Sequence, residues 1–306
     1  MSTPFDILVA GEINPDLILT GDVIPAFGQV EKLVDSATLT VGSSSVIFAC
    51  GAARLGLRVA FIGVCGNDIF GRFMLDEMVR RGVDVSPVIV REDGKTGLSL
   101  ILNRGADRAI LTHSGLMAAL QASDIPDPLL QKARHLHVAS YFLQTNLQPE
   151  LPDLFRRARA LGLTTSLDTN YDPSERWIGF DELLAVTNVF LPNEKEALSL
   201  LRELDVNVAG EKLGSQVETL TIKLGVEGAL GIYRGEKVRV QSIPVNVIDT
   251  VGAGDSFDAG FLHGYLHKWS LEKSLQLACV CGALSTQRAG GTDGQPTLDE
   301  ALKFLK

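Results

Sequence analysis

The 306-residue chain has little of what would mark a special environment: 4 cysteines, 2 tryptophans and an aromatic content of 6%. Cys50, Cys65, Cys279 and Cys281 include no CxxC pair, and no His/Cys cluster has zinc spacing, which excludes a disulfide framework and a structural zinc site. Buried free thiols are expected. No apolar run reaches the roughly 18 residues of a membrane span before Gly or a charge breaks it, and MSTPFDILVAGE has no basic flank ahead of its short apolar stretch. The chain therefore reads as cytoplasmic. Basic side chains are in deficit, 28 against 37 acidic, and the net charge of −9 argues against nonspecific attraction to nucleic acid or an anionic membrane. A local field can still hold a small anion. Two nucleotide fingerprints are also missing. No GxGxxG follows the first apolar run, and Gly94, Lys95 and Thr96 end like a P-loop but have Ile89 where its leading glycine belongs. His263 and His267 lie one turn apart without the intervening Glu of a zincin, and His135 and His137 read as structural.

What is present is a 45% hydrophobic chain, long enough for one large domain or two smaller ones. FDILVA (Phe5–Ala10) and VAFIGV (59–64) have the β-branched, apolar look of buried strands, while 43–55 and 70–81 carry helical spacing. The alternation continues through 135–139, Leu151–Ala160, Thr164–Leu167, 181–186, 189–191, Glu194–Leu201 and 220–224, which predicts an α/β fold around a large, mostly parallel sheet flanked by helices. Two stretches, 16–39 and 96–112, break the rhythm with short alternating runs that suit antiparallel hairpins. They are expected to form one small sheet inserted into a single domain over 1–306, either as a lid or as plain edge extensions.

The most informative segment is IPVNVIDTVGAGDSFDAGFLHGYLHKW at 243–269. An extended run at 245–248 meets a glycine-rich turn, and a helix follows with Phe257 and Phe261 on one face. That places Gly252, Ala253 and Gly254 at a helix N-terminus, where backbone N–H groups and the positive end of the helix dipole make an anion hole. A carboxylate beside such a hole repels phosphate unless it has a task. For Asp255 the task is general base, or else a simple helix cap. Asp249 could hold the loop or help bind a cation.

DTVGAGDSFDAGF resembles the C-terminal signature of the ribokinase-like, or PfkB, family of carbohydrate and nucleoside kinases. The resemblance implies ATP-dependent phosphoryl transfer to a hydroxyl, with Asp255 as base, the 252–254 amides as charge stabiliser, and Asp249 at a monovalent cation (potassium) site with carbonyls of 289–292. Further elements come in family order. GEINPDLIL puts Asp16, with Asn14 on the same face, where members hold paired sugar hydroxyls. LPNEKEA resembles the Asn-x-x-Glu motif, implying Asn193 at the nucleotide phosphates and Glu196 in the magnesium-bound water shell. TIKLGVEGAL resembles the nucleotide loop with Lys223, Gly225 and Gly228, and DTNYDPSERW resembles the strand and loop that add Asn170 to the substrate side. The bland readings are a first helical turn, a plain turn between strands, and an exposed strand-end lysine.

The departures concern the substrate. In VGSSSVIFACG only Gly42 survives of the sugar-binding signature: Ser43 replaces its second glycine and Ile47 its asparagine. Leu116 and Met117 follow Gly115, His113 stands near where acidic-sugar kinases carry arginine, and Asp172 replaces another arginine. The sugar is therefore left unnamed. The resemblance further implies ATP, magnesium and potassium as cofactors and a homodimer through the lid. A nucleoside kinase and a catalytically silent sugar sensor are the alternatives.

Overall fold

Runs of aliphatic and β-branched residues form the strands of a computed structural model that describes residues 3–104 and 107–305. Gly105 and Ala106, inside the second expected lid segment, lie outside the described residues, as do Met1, Ser2 and Lys306. In chain order the strands are β1 (Phe5–Ala10), β2 (Pro15–Thr20), β3 (Ser36–Val41), β4 (Val59–Ile62), β5 (Val64–Gly66), β6 (Ile89–Arg91), β7 (Leu98–Arg104), β8 (Asp107–His113), β9 (Ala133–Val138), β10 (Thr164–Leu167), β11 (Val189–Phe190), β12 (Thr219–Lys223), β13 (Ala229–Tyr233) and β14 (Glu236–Val240).

The main sheet has 8 strands in the order β14-β13-β12-β11-β10-β9-β1-β4. It is parallel from β4 to β12, and β13 and β14 extend it as an antiparallel hairpin. The alternation of β1 divides the core: Ile7 and Val9 point into one apolar layer, Leu8 and Ala10 into the other. The first layer contains three helices buried almost all round, Ser44–Arg54, Ala253–Leu266 and Leu271–Ser285. Phe48 of the first of these is fully buried and stacks on His137, with ring centroids 3.8 Å apart. His135 and His137 have structural roles: their rings bond Thr164 and Ser166 across the β9–β10 ladder at 2.7 Å. His263 and His267 stack on one another, and His267 Nδ1 lies 2.8 Å from the carbonyl oxygen of His263.

The two rhythm-breaking segments join in one sheet, ordered β3-β2-β7-β8. Each hairpin is antiparallel as expected, but the seam between β2 and β7 is parallel. The reason is topological: β2 leaves the C-terminal end of β1, and β7 runs alongside in the same direction. A second difference concerns 245–248. The extended run forms no strand, because the sheet edge ends at β14 and the Ile248 N–H donates instead to the Thr286 carbonyl at 2.8 Å.

The 4 cysteines are all buried. Burial pushes the thiols up, Cys65 to about 11 and Cys50 and Cys279 to about 12. In the native protein at pH 8 none of them is expected to react with a thiol-specific disulfide reagent, whereas guanidinium should release all four; a rapidly reacting native thiol would contradict this packing.

Candidate active site

The parallel register brings Ala10, Val138, Leu167 and Phe190 level at one edge of the sheet, so the segments that follow β1, β9, β10, β11 and β12 converge there. This C-terminal edge is where open α/β sheets bind ligands. From β1 come Glu12, Asn14 and Asp16; from β10, Asp168 and Asn170; from β11, Asn193; and Lys223 ends β12. The helix Ala253–Leu266 delivers Asp255 to the same place.

Gly252 caps that helix with φ 73, and a Cβ there would lie 2.7 Å from the Gly291 carbonyl oxygen and 2.9 Å from Ile47 Cγ2, so no larger residue fits. Its amide pattern differs from the expected set. The Ala253 N–H donates to the Thr250 carbonyl at 3.3 Å, while among the described residues the N–H groups of Gly252, Gly254 and Asp255 have no acceptor. These three are the free N–H groups of that helix end. Ile47 is buried under Gly252 and Gly291, where its apolar side chain packs the loop.

Asp255 is buried, and burial raises its proton affinity well above the ordinary carboxylate range. Asp168 and Glu12 push the same way, whereas Lys223 and the Ser44 hydroxyl favour the ionised form. Lys223 differs from an exposed strand-end lysine. Its ammonium is buried and pairs with Asp168 at 2.9 Å and Asp258 at 3.0 Å. Burial works against both ions of the Asp168 pair, but the opposite charges win, holding Asp168 below and Lys223 above their usual values. Asp258 remains well above its usual value, chiefly through burial.

On the lid side Asp16 is buried and Asn14 Nδ2 lies 3.4 Å from its Oδ1 and 3.3 Å from Ser99 Oγ. Burial, opposed by Arg108 and helped by Glu12 and Asp249, lifts Asp16 to about 7. A Cβ on Gly42 would sit 2.3 Å from the Asp16 carboxylate, so glycine is what lets that carboxylate stand here. Asn14 Oδ1 is buried and, among the described residues, has no partner. Asn193 and Glu196 form a capping box at the start of the helix Glu194–Leu201: Asn193 Nδ2 donates to Glu196 Oε1 at 2.6 Å and the Asn193 N–H to Oε2 at 2.9 Å. Burial and the Asp168 charge raise Glu196 to about 7.

Asp249 acts as a loop clasp, accepting the Val251 N–H at 3.0 Å and the Gly290 N–H at 2.9 Å. Asp172 likewise organises its own loop by accepting three backbone N–H groups, those of Ser174, Arg176 and Trp177. Among the described residues no group of three or more His, Cys, Asp or Glu is gathered to hold a metal. Beside the helix N-terminus lies a cavity of about 500 Å³, lined by Lys223, Gly225, Gly228, Val245, Phe257 and Ala283 among others. It is mostly apolar with one charged end, a form suited to an aromatic base joined to an anion.

Sequence reasoning missed Glu12, Ser140, Asp168 and Asp258, while the serine run with Ser44 reads either as hydroxyl partners or as a helix cap. A signal existed for Asp258: a carboxylate inside the apolar run FDAGF has to find a partner once its helix is buried. For Glu12, Ser44 and Ser140 the partners are 28 or more residues away, beyond any local pattern.

Residues 5–298 match the pattern of pfkB family carbohydrate kinases. The chain is 34% identical over 300 residues to a 2-dehydro-3-deoxygluconokinase of Bacillus subtilis, covering 91% of this chain and 90% of that protein. Its backbone is similar to solved structures of Arabidopsis thaliana ribokinase complexed with ribose and ATP (TM-score 0.88, 22% identity, 100% and 99% of the two chains). It is also similar to a putative ribokinase II from E. coli in complex with ATP and magnesium (TM-score 0.85, 24% identity, 99% of each chain).

Replacing Lys223 by methionine would leave Asp168 and Asp258 facing each other without a cation. Urea unfolding at pH 8 should show a loss of about 3–5 kcal/mol. Part of it should return toward pH 5, because carboxyls whose folded-state proton affinity is raised stabilise at low pH and lose that contribution as pH rises. A loss independent of pH would contradict the assignment.

Proposed function

The chain belongs to the pfkB family of carbohydrate kinases, phosphotransferases with an alcohol group as acceptor, and we propose that it transfers the γ-phosphoryl group of ATP to a hydroxyl of a small sugar or sugar derivative. The observation that carries this reading is a buried carboxylate, Asp255, at a helix N-terminus where, among the described residues, the Gly252, Gly254 and Asp255 N–H groups have no acceptor, beside a cavity of about 500 Å³.

In this reading the cavity takes the adenine, with Gly225 and Gly228 at its rim, and the phosphates run toward Gly254. Asp16 and Asn14 hold acceptor hydroxyls across from it: Asp16 as acceptor, Asn14 through the buried Oδ1 that has no protein partner. Asp255 takes the proton of the attacking hydroxyl while its oxygen bonds to the γ-phosphorus and the bond to the β,γ-bridging oxygen breaks. Charge on the transferring group meets the Gly252, Gly254 and Asp255 amides. Ala253 contributes its small size, and its N–H stays with Thr250. Lys223, paired with Asp168 and Asp258, acts chiefly by keeping Asp168 ionised next to the base.

Bound magnesium would neutralise phosphate charge. The residues fit it through water: the capping box uses only part of the acceptor capacity of Glu196, and Asn193 sits beside it at the phosphate end. For potassium, the clasp of Asp249 and the 289–292 carbonyls are the proposed surroundings, and the Thr292 hydroxyl, buried without a partner, gives that loop a further polar lining. The small sheet serves as a lid that excludes water from transfer. Arg108 on β8 exerts a positive field on the Asp16 site, which favours an anionic acceptor. With the Bacillus subtilis relative, this makes 2-dehydro-3-deoxygluconate the first acceptor to try.

The test is ATP consumption with magnesium, with and without potassium, over 2-dehydro-3-deoxygluconate, ribose, fructose, ribose 1-phosphate and adenosine. Asp255→Ala should lower turnover by about 10²–10⁴ while calorimetric ATP affinity stays near wild type. Retained turnover in that variant would remove Asp255 as base, and adenosine as the sole acceptor would make the protein a nucleoside kinase.

The lid also carries the proposed homodimer contact, since Ile110 and Leu111 on β8 and Phe27 and Leu33 between β2 and β3 are exposed. Sedimentation velocity should give a particle of twice the chain mass, and Leu111→Glu should return it to a monomer. A monomeric wild type would refute the contact.

A further inference from the structure

Three non-glycine residues around the site have positive φ: Ser43 (65) ahead of the helix Ser44–Arg54, Ser140 (53) after β9, and Asn170 (54) after β10. Such backbone persists only where its surroundings over-determine it. Ser43 is the most demanding of the three, since its ψ of 117 lies outside the left-handed helical well that Ser140 occupies. Glycine would hold that conformation at far lower cost.

All three residues are tied, directly or through one another, to Glu12, which is buried. Ser43 Oγ donates to the Glu12 carbonyl oxygen at 2.7 Å, accepts the Val46 N–H at 3.1 Å and lies 3.0 Å from Glu12 Oε1. Glu12 Oε1 also lies 2.8 Å from Ser140 Oγ, and Oε2 lies 2.6 Å from Ser45 Oγ. Ser140 Oγ in turn accepts from Asn170 Nδ2 at 2.7 Å, and the same amide reaches Ser44 Oγ at 2.6 Å. Burial favours the protonated carboxyl of Glu12. The geometry suits that form: with the Ser43 proton on the carbonyl, a carboxyl proton completes the contact between Oε1 and Ser43 Oγ.

The anchored backbone belongs to the Asp16 side of the site. A Cβ on Gly42 would lie 2.3 Å from Asp16 Oδ1 and 2.8 Å from the Asn14 carbonyl oxygen, so the chain just before Ser43 is the wall against which Asp16 stands. Asn170 is held at the end of β10 by the Ser140 arm. We propose that Glu12 is a positioning residue for the acceptor: its carboxyl anchors Ser43 in a backbone conformation proper to glycine and, through Gly42 and Ser140, holds Asp16 and Asn170 where the acceptor hydroxyls meet them. This rests on the reading of the Asp16 side as the acceptor site. It makes Glu12 and Ser43 a coupled pair that stands in for a glycine.

The experiment is steady-state kinetics of the full chain with 2-dehydro-3-deoxygluconate, or whichever acceptor of the panel is turned over, varying acceptor and ATP in turn. Glu12→Ala should raise the acceptor KM about tenfold, as for the loss of one hydrogen bond, at unchanged KM for ATP. Ser43→Ala cuts the same anchor without emptying the buried carboxyl site. It should raise the acceptor KM by a similar factor, and the double variant Glu12→Ala/Ser43→Ala should raise it no further. Ser43→Gly should cost at most about threefold, because glycine keeps this backbone without the anchor. A merely structural role would lower the active fraction and with it kcat, leaving both KM values in place. Equal acceptor KM values in Ser43→Ala and Ser43→Gly overturn the proposal, as does an equal rise of both KM values in Glu12→Ala. A wild type that turns over no acceptor of the panel would sink the kinase reading and this proposal with it, whereas an active wild type with a flat acceptor KM across the variants sinks the proposal alone.

Discussion

Lys223 lies 2.9 Å from Asp168 and 3.0 Å from Asp258, and the rest of the site depends on that buried ammonium. The strand ends collect Glu12, Asp168, Glu196, Asp255 and Asp258, all buried, which without compensation would either take up protons or push the strand ends apart. One cation at the end of β12 offsets part of this. It keeps Asp168 ionised, lowers the proton affinity of Asp255 and leaves the remaining excess of negative charge facing the place where a magnesium-bearing nucleotide is proposed to sit. A protein of net charge −9 can thus bind ATP, because the field is set locally by a few amides and cations.

The second constraint is steric. The helix Ala253–Leu266 is buried on nearly every side, and it abuts the helix Ser44–Arg54 so closely that Gly252 admits no side chain. Gln295 ties the two together, donating to the Ile47 carbonyl at 2.9 Å and lying 3.2 Å from Ser256 Oγ. The positions of the anion hole and the serine run are therefore one packing problem. Ile47 belongs to this packing.

The lid is placed by the same logic. β2 begins five residues after β1 ends, so the strand that holds Asp16 is also the inner strand of the small sheet. The body contributes the strand ends and the small sheet contributes the Asp16 carboxylate, and Gly42, where β3 returns to the body, lies against that carboxylate.

Most of the body was legible from sequence, because its strands and helices are local patterns: period-2 or continuous apolar runs and 3.6-residue spacing read directly as burial. Leu151–Ala160, Thr164–Leu167 and Glu194–Leu201 fall where that spacing puts them. The motifs around Asp16, Asn193, Lys223 and Asp255 were legible for the same reason, each being a short segment with its own chemistry. What no local pattern contains is how distant segments share charges and protons. The parallel seam of the lid, the ion triad of Lys223, and the line from Glu12 to Ser44 all join residues tens to more than a hundred positions apart, and only the register of the parallel strands decides which of them meet. The scarcity of cysteine had excluded staples, and the fold shows what replaces them: two apolar layers for the body, and for the site a buried network in which Glu12, Asp168 and Asp258 are answered by donors brought from elsewhere in the chain.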